Sequence, residues 1–434
     1  MKDMYKTYYV SSFKGREEND GLTPETPYVN LEQINRLNLC PGDKVLLECG
    51  SVFENQFLHV KAKGTEEHII SIGKYGEGNI PCIAANGEGV WNQDFGIKLD
   101  NPKHRYQGSV SSAVLLEDVE YLELCEIEIT NQGNEKDFYN SKNKMCRTGV
   151  AVIAKNGGTL HHIILRKLMV HHVEGNIYDK HMNNGGIYIT ALKPDKEEET
   201  GVARFSGVTI ENCFVYKVSR WGIAVGYTYQ HDKFTESYLS DHLFKVFGQE
   251  NIVLRNNYVK EAGGDGITPM YCLNPIIEHN IIDSVAGEIN AEIYTEEDNY
   301  HGMVAAGIWP WKCKNAVFRY NEVLNTRLNQ DGMAFDADSG EGTLYEYNYS
   351  RLNEGGCVMF CLEQAVENTF RYNLSVNDLG GTISPAGNPD ALIKENVFYK
   401  RKDVPFIRRK MAGGKYTIEG NQIIDIIGTA SPTL

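Results

Sequence analysis

The chain has 434 residues, 41% of them apolar, and a formal net charge of −15. Such a surface repels nucleic acid and anionic membranes, so neither is expected as a partner. No apolar run reaches the roughly 18 residues of a membrane-spanning helix, and ten cysteines without one CxxC exclude a zinc framework of the usual spacing and fit reduced, mostly buried thiols.

The start, MKDMYKTYYVSSF, lacks the apolar stretch of a signal peptide. That predicts a cytoplasmic protein as it stands, and a secreted or periplasmic one if a leader has been removed. TPYVNLEQINRL offers Asn30 as a helix N-cap with Gln33 three residues on, and Leu31, Ile34 and Leu37 on one face. A short helix here would close the open end of whatever sheet follows and block edge pairing.

From there a pattern recurs: an apolar stretch, a charged residue, any residue, then Asn. It reads VLRNNYV, IIEHNII, VFRYNEV, LYEYNYS, TFRYNLS, LIKENVF and TIEGNQI, with asparagines at 257, 280, 321, 348, 373, 396 and 421. The frame extends upstream through Cys213, Leu168 and Cys125. A glycine-marked strand precedes each Asn by 14 to 17 residues: GITPMYC, GIWPWKC, GMAFDAD, GCVMFCL and GTISPAG. Strand repeats of this length cannot bury their own apolar face, so they stack as a solenoid on one shared core. Asn at a fixed turn suits stacking, because its amide donates to one neighbour and accepts from the other. The expectation is one all-β domain over 1–434: a single-stranded parallel β-helix with an N-terminal cap (1–45) and loop insertions at 131–147, 191–203, 228–250 and 286–303. The insertions lie beside the glycine-marked strands and would wall in that face.

That face carries the chemistry. QDGMAFDADSG places Asp331, Asp336 and Asp338 within a turn and a strand. Alternation along the strand turns Asp336 and Asp338 outward, and in the preceding coil Trp309 and Trp311. Sugar rings stack their C–H faces on indoles while carboxylates engage hydroxyls. Coils lie about 4.8 Å apart, so stacked carboxyls meet the separation that glycoside hydrolysis needs. Two pairings compete. Asp338 and Glu363 each lie ten residues before a ladder Asn, which would stack them in neighbouring coils. Asp265 and Asp331 each precede a strand glycine, two coils apart with Ala306 between, and Asp336 could serve either pair. His301 lies just before the tryptophan strand and could reach the cleft. Arg220, beside Trp221, and Lys312 are the cations at hand. The three aspartates could also hold calcium, whose hard oxygen ligands they resemble, though no cofactor is required.

The opening YYVSSFKGREENDGLTPETPYVNLEQINRLNLCPGDKVLLECGSVFEN and the stretch GIWPWKCKNAVFRYNEV…DGMAFDADSG…YNYSRLNEGG resemble right-handed parallel β-helices of the pectate-lyase-like superfamily, most closely the β-helical glycoside hydrolases. The resemblance covers nearly the whole chain. It implies a right-handed coil, a carbohydrate substrate and glycosidase activity. The Asp-then-Glu separation of Asp338 and Glu363 is similar to that of β-helical β-xylosidases, although their tryptophan-flanked Asp and Glu-Val-Asn-His context are absent. Polysaccharide lyases and non-catalytic glycan-binding solenoids share the fold, and both stay open as alternatives.

Overall fold

The computed structural model describes residues 5–101, 104–133, 145–289, 304–328, 331–408 and 414–426. Its strands are short, and all named strand pairs are parallel except Val90–Asp94 against Gln107–Glu117. They form three long faces. One face is a 14-stranded sheet and the second a 12-stranded sheet. The third comes in two pieces, of seven and three strands. Each coil contributes one strand to a face, and a single apolar core runs from Tyr8 to Phe398. This is a parallel β-helix.

The helix Leu31–Asn35 caps the first coil. Asn30 accepts from the Gln33 backbone N–H and the Gln33 side chain returns to the Asn30 backbone, while Leu31 and Ile34 are buried. The asparagines form the expected ladder. Asn257 Nδ2 donates to Asn280 Oδ1 at 3.0 Å, and the same bond repeats from 280 to 321, 348, 373, 396 and 421. Each amide also donates to a backbone carbonyl of an adjacent coil, as Asn321 does to Ile277. Upstream the buried position passes to Cys213, Leu168 and Ile127 rather than Cys125, because Met169 N–H bonds the Ile127 carbonyl. The residue before Asn280, Asn321, Asn348 and Asn373 is aromatic with φ of 55–56°, and these rings stack at 5.0–5.4 Å. Side-chain stacking thus accompanies a left-handed backbone that costs a non-glycine residue about 1 kcal/mol.

The third face breaks where GIWPWKC crosses it. Ile308 bridges Ile267 and Phe335, and Trp311 bridges Met270 and Asp338, but no continuous ladder joins these coils. Pro269 and Pro310 supply no N–H there. Of the four expected insertions, 191–203 holds a short helix, Glu197–Thr200. The segment 228–250 holds the helix Asp241–Phe247, capped by Ser240. Bonds from Lys314 Nζ to the Leu239 carbonyl and from Gln364 Nε2 to the Thr235 carbonyl lean it on the third face as a wall. Most of 131–147 and 286–303 lies outside the described residues.

Candidate active site

The break in the third face is where the acidic residues gather. A narrow pocket of about 20 Å3 is lined by Lys180, Asp265, Trp309, Asp331, Asp336 and Asp338, with 304–306. Ile308 pairs with Phe335 and Trp311 with Asp338, so Trp309 stands level with Asp336 one coil away. The expected neighbourhood of two indoles and two aspartates is therefore present. Larger hollows of about 310 Å3 lie elsewhere, one bounded by His172, Glu174, Lys217 and Glu261. Of the described hollows, the small pocket is the one lined by four aspartates beside an indole.

Asp338 is a strongly perturbed acid of the cluster. Burial pushes its carboxyl up to about 7; Asp331 pushes the same way, while the Ser339 hydroxyl, Lys180 and Lys312 oppose it. Ser339 Oγ donates to Asp338 Oδ1 at 2.9 Å. Asp331 and Asp338 are both partly exposed, whereas Asp336 is only 4% exposed. Asp331 thus adds repulsion to the burial that keeps the Asp338 carboxyl protonated near neutrality, which suits Asp338 to act as an acid.

Asp265 has a different task. It is fully buried and accepts from Trp309 Nε1 at 2.9 Å, from the Ala306 N–H at 3.0 Å and from Arg220 at 3.1 Å. It fixes the Trp309 indole and is not placed to attack a sugar. The expected pairing of Asp265 with Asp331 across two coils fails in register. Gly307 lies level with Ala334, not with Gly332, so Asp265 is level with Met333 and Asp331 enters two residues earlier. Met333 itself packs with Met359 and Ala386 in a small cluster apart from the main core.

Four other expectations need correction. Glu363 does not stack on Asp338, because Cys361 takes that place. Glu341 bridges Val366, so five residues separate Cys361 from its bridge position where three separate Asp338 from its own. The two extra residues carry Glu363 into an exposed turn. Trp221 is fully buried. Its Nε1 donates to the Lys180 carbonyl at 2.7 Å and its ring lies 6.3 Å from that of Trp309, so it braces the pocket from behind. Arg220 is buried as well, bonded to Asp265 and to the Val304 carbonyl. Trp309, 4% exposed, is a pocket wall rather than an open platform. Trp311 is the more exposed indole, oriented by its bond to Tyr271 Oη at 2.9 Å and flanked by Lys312. His301 lies outside the described residues.

Lys180 escaped the sequence reading. It comes from the 174–184 connection, which lies outside the repeat, and its ammonium sits 5.2 Å from the centre of the Trp309 ring. Burial holds it below the usual lysine range; Asp265 opposes this, Arg220 adds to it, and Asp338 and Asp331 oppose it. The polar run NIYDKHMNN between two coil strands was the available signal. As to calcium, the donor atoms that come within 4.8 Å of one another belong to Asp336, Asp338 and Cys361. A thiol is a poor calcium ligand, and the Lys180 ammonium already brings positive charge to the pocket.

A stacked-coil face with a carboxylate pair beside fixed indoles defines a carbohydrate-active parallel β-helix. Residues 233–398 match the family described as right handed beta helix region. A lacto-N-biosidase of Bifidobacterium longum subsp. longum is 42% identical over 467 residues. That match covers 98% of this chain and 29% of the relative, so the chain spans less than a third of its length. Crystal structures of the GH136 lacto-N-biosidase from Eubacterium ramulus, native and selenomethionine forms, share 58% identity and a TM-score of 0.95 over 97% of this chain and 68% of theirs. The chain belongs to the GH136 lacto-N-biosidase family.

Proposed function

We propose that this protein is a glycoside hydrolase of lacto-N-biosidase type, releasing a two-sugar unit from a neutral oligosaccharide with Asp331 and Asp338 as its carboxyl pair. The observation that carries the reading is that Asp338, its carboxyl pushed up to about 7 by burial, shares one pocket with Asp331 against the Trp309 indole. In the free protein the proton rests on Asp338. The protonated carboxyl gives it to the glycosidic oxygen as the bond to the anomeric carbon breaks. Its ionised partner attacks that carbon and forms an ester. Water, deprotonated by the carboxylate that gave up its proton, then hydrolyses the ester and restores both groups. Lys180 faces the pocket and balances the ionised partner. Trp309, held by Asp265, and Trp311 bind the rings. No step calls for a metal.

The test is hydrolysis of an aryl lacto-N-bioside and of neutral oligosaccharides, with the first-formed anomer followed by NMR. Release of a disaccharide with retained configuration is expected, and Asp331→Asn and Asp338→Asn should each lower kcat by roughly a thousandfold or more. A product with a new ultraviolet-absorbing double bond would mean a lyase. Full activity in both variants would move the chemistry off this pair, and glycan binding without hydrolysis by the unaltered protein would leave only a binding solenoid.

A further inference from the structure

A second cluster lies beyond Trp311, and none of its members takes part in the chemistry above. Asp100 and His104 belong to the 95–106 excursion between the strands Val90–Asp94 and Gln107–Glu117. His181 comes from the connection leading into Gly185–Ala191. One donor atom from each lies within 4.8 Å of the other two. We propose that Asp100, His104 and His181 bind a divalent transition-metal ion, zinc by their donor set, which clasps the excursion to the connection before strand Gly185–Ala191. The proposal stands apart from the reading of the active site.

Several observations support a built site. His181 is 6% exposed, and its Nδ1 is buried with no hydrogen-bond partner. A buried imidazole nitrogen left without a partner costs about 1–3 kcal/mol, and an ion removes that cost. The ring is fixed on both sides: it stacks on Tyr227 at 4.0 Å and meets His104 at 4.6 Å. Its backbone carbonyl accepts from Gln93 Nε2 and Tyr188 Oη.

Asp100 is held in the same way. Its Oδ1 accepts from the Asn101 N–H at 2.8 Å and from Tyr227 Oη at 3.3 Å. A ligating carboxylate usually carries such a supporting bond. Two imidazoles and a carboxylate are a common zinc set that leaves a fourth position for water, and Asp100 is exposed enough to admit one. Ligand atoms of one tetrahedral zinc lie about 3–3.5 Å apart, so small side-chain rotations close the observed span. The neighbouring Lys180 is drawn to Asp265, Asp338 and Asp331, on the pocket side.

The test is calorimetric titration of the tag-free protein with zinc chloride, with cobalt(II) as a visible-absorbance reporter and thermal melting as a third readout. One saturable equivalent is expected, together with a zinc-dependent rise in Tm. His181→Gln and Asp100→Asn should each weaken binding by about tenfold or more and abolish the Tm rise, while Cys361→Ser leaves both unchanged. Asp100 lies at the surface, so its variant folds even if that of His181 does not. Absence of saturable binding, or binding undiminished in Asp100→Asn, or binding lost in Cys361→Ser because the ion sits among Asp336, Asp338 and Cys361, overturns the proposal.

Discussion

Asp338 has to carry a proton when a glycosidic oxygen reaches it, and its surroundings supply one at neutral pH. With a pKa of about 7, kcat/KM should fall about tenfold per pH unit above that point; a profile flat to pH 9 would remove Asp338 from the acid role. The same shift leaves a mark on stability. A carboxyl whose folded pKa lies above its usual 3.8 binds its proton more tightly when folded. Its contribution is whole below about pH 4 and is lost as pH rises toward 7. Melting curves between pH 5 and 8 should show this decline, and Asp338→Asn, which cannot ionise, should lessen it. The grouping of Asp331, Asp336 and Asp338 was legible in the sequence, because alternation along one strand and closeness in the chain put them together. The division of labour was not. The role of Asp265 shows only in its three donors, and that of Lys180 only in where a non-repeating connection folds back.

Among the elements, the asparagine ladder from Asn257 to Asn421 was readable, because one turn geometry repeats at each coil, while its upstream frame slipped at Cys125. Glu363 shows the limit of that method. Counting backward from Asn373 assumes turns of equal length, and the turn after Cys361 holds two more residues than the turn after Asp338. Register is set by hydrogen bonds between strands, and a turn can absorb residues without disturbing them. The ladder also predicts a stability effect. Asn321 Oδ1 accepts from both the backbone N–H and the side-chain amide of Asn280, and Asn321 Nδ2 donates to the Ile277 carbonyl and Asn348 Oδ1. Asn321→Leu strands several buried polar groups, at a cost on the order of 3 kcal/mol. Urea denaturation should show the loss as a lower midpoint with an unchanged slope, and a change within about 0.5 kcal/mol would mean the ladder is ornamental.

At the scale of the whole molecule, a net charge of −15 surrounds a pocket that holds Lys180 and has Lys312 nearby. A neutral oligosaccharide feels little of that field. Its kcat/KM should change less than about twofold between roughly 0.05 and 0.5 M salt, whereas a charged polysaccharide substrate would show a strong dependence. The two-piece third face bears on how the rod comes apart. Where isolated bridges replace a continuous ladder, the coils are tied across this face by a few backbone bonds, such as Ile267 N–H to the Gly307 carbonyl and Gly307 N–H to the Met333 carbonyl. Amides along Gly307–Trp311 should therefore exchange with deuterium ahead of those in the coils on either side. The molecule has a hinge line in its own wall, and the chemistry sits on it: the floor that must accommodate a sugar twisting toward its transition state is also the floor most able to breathe.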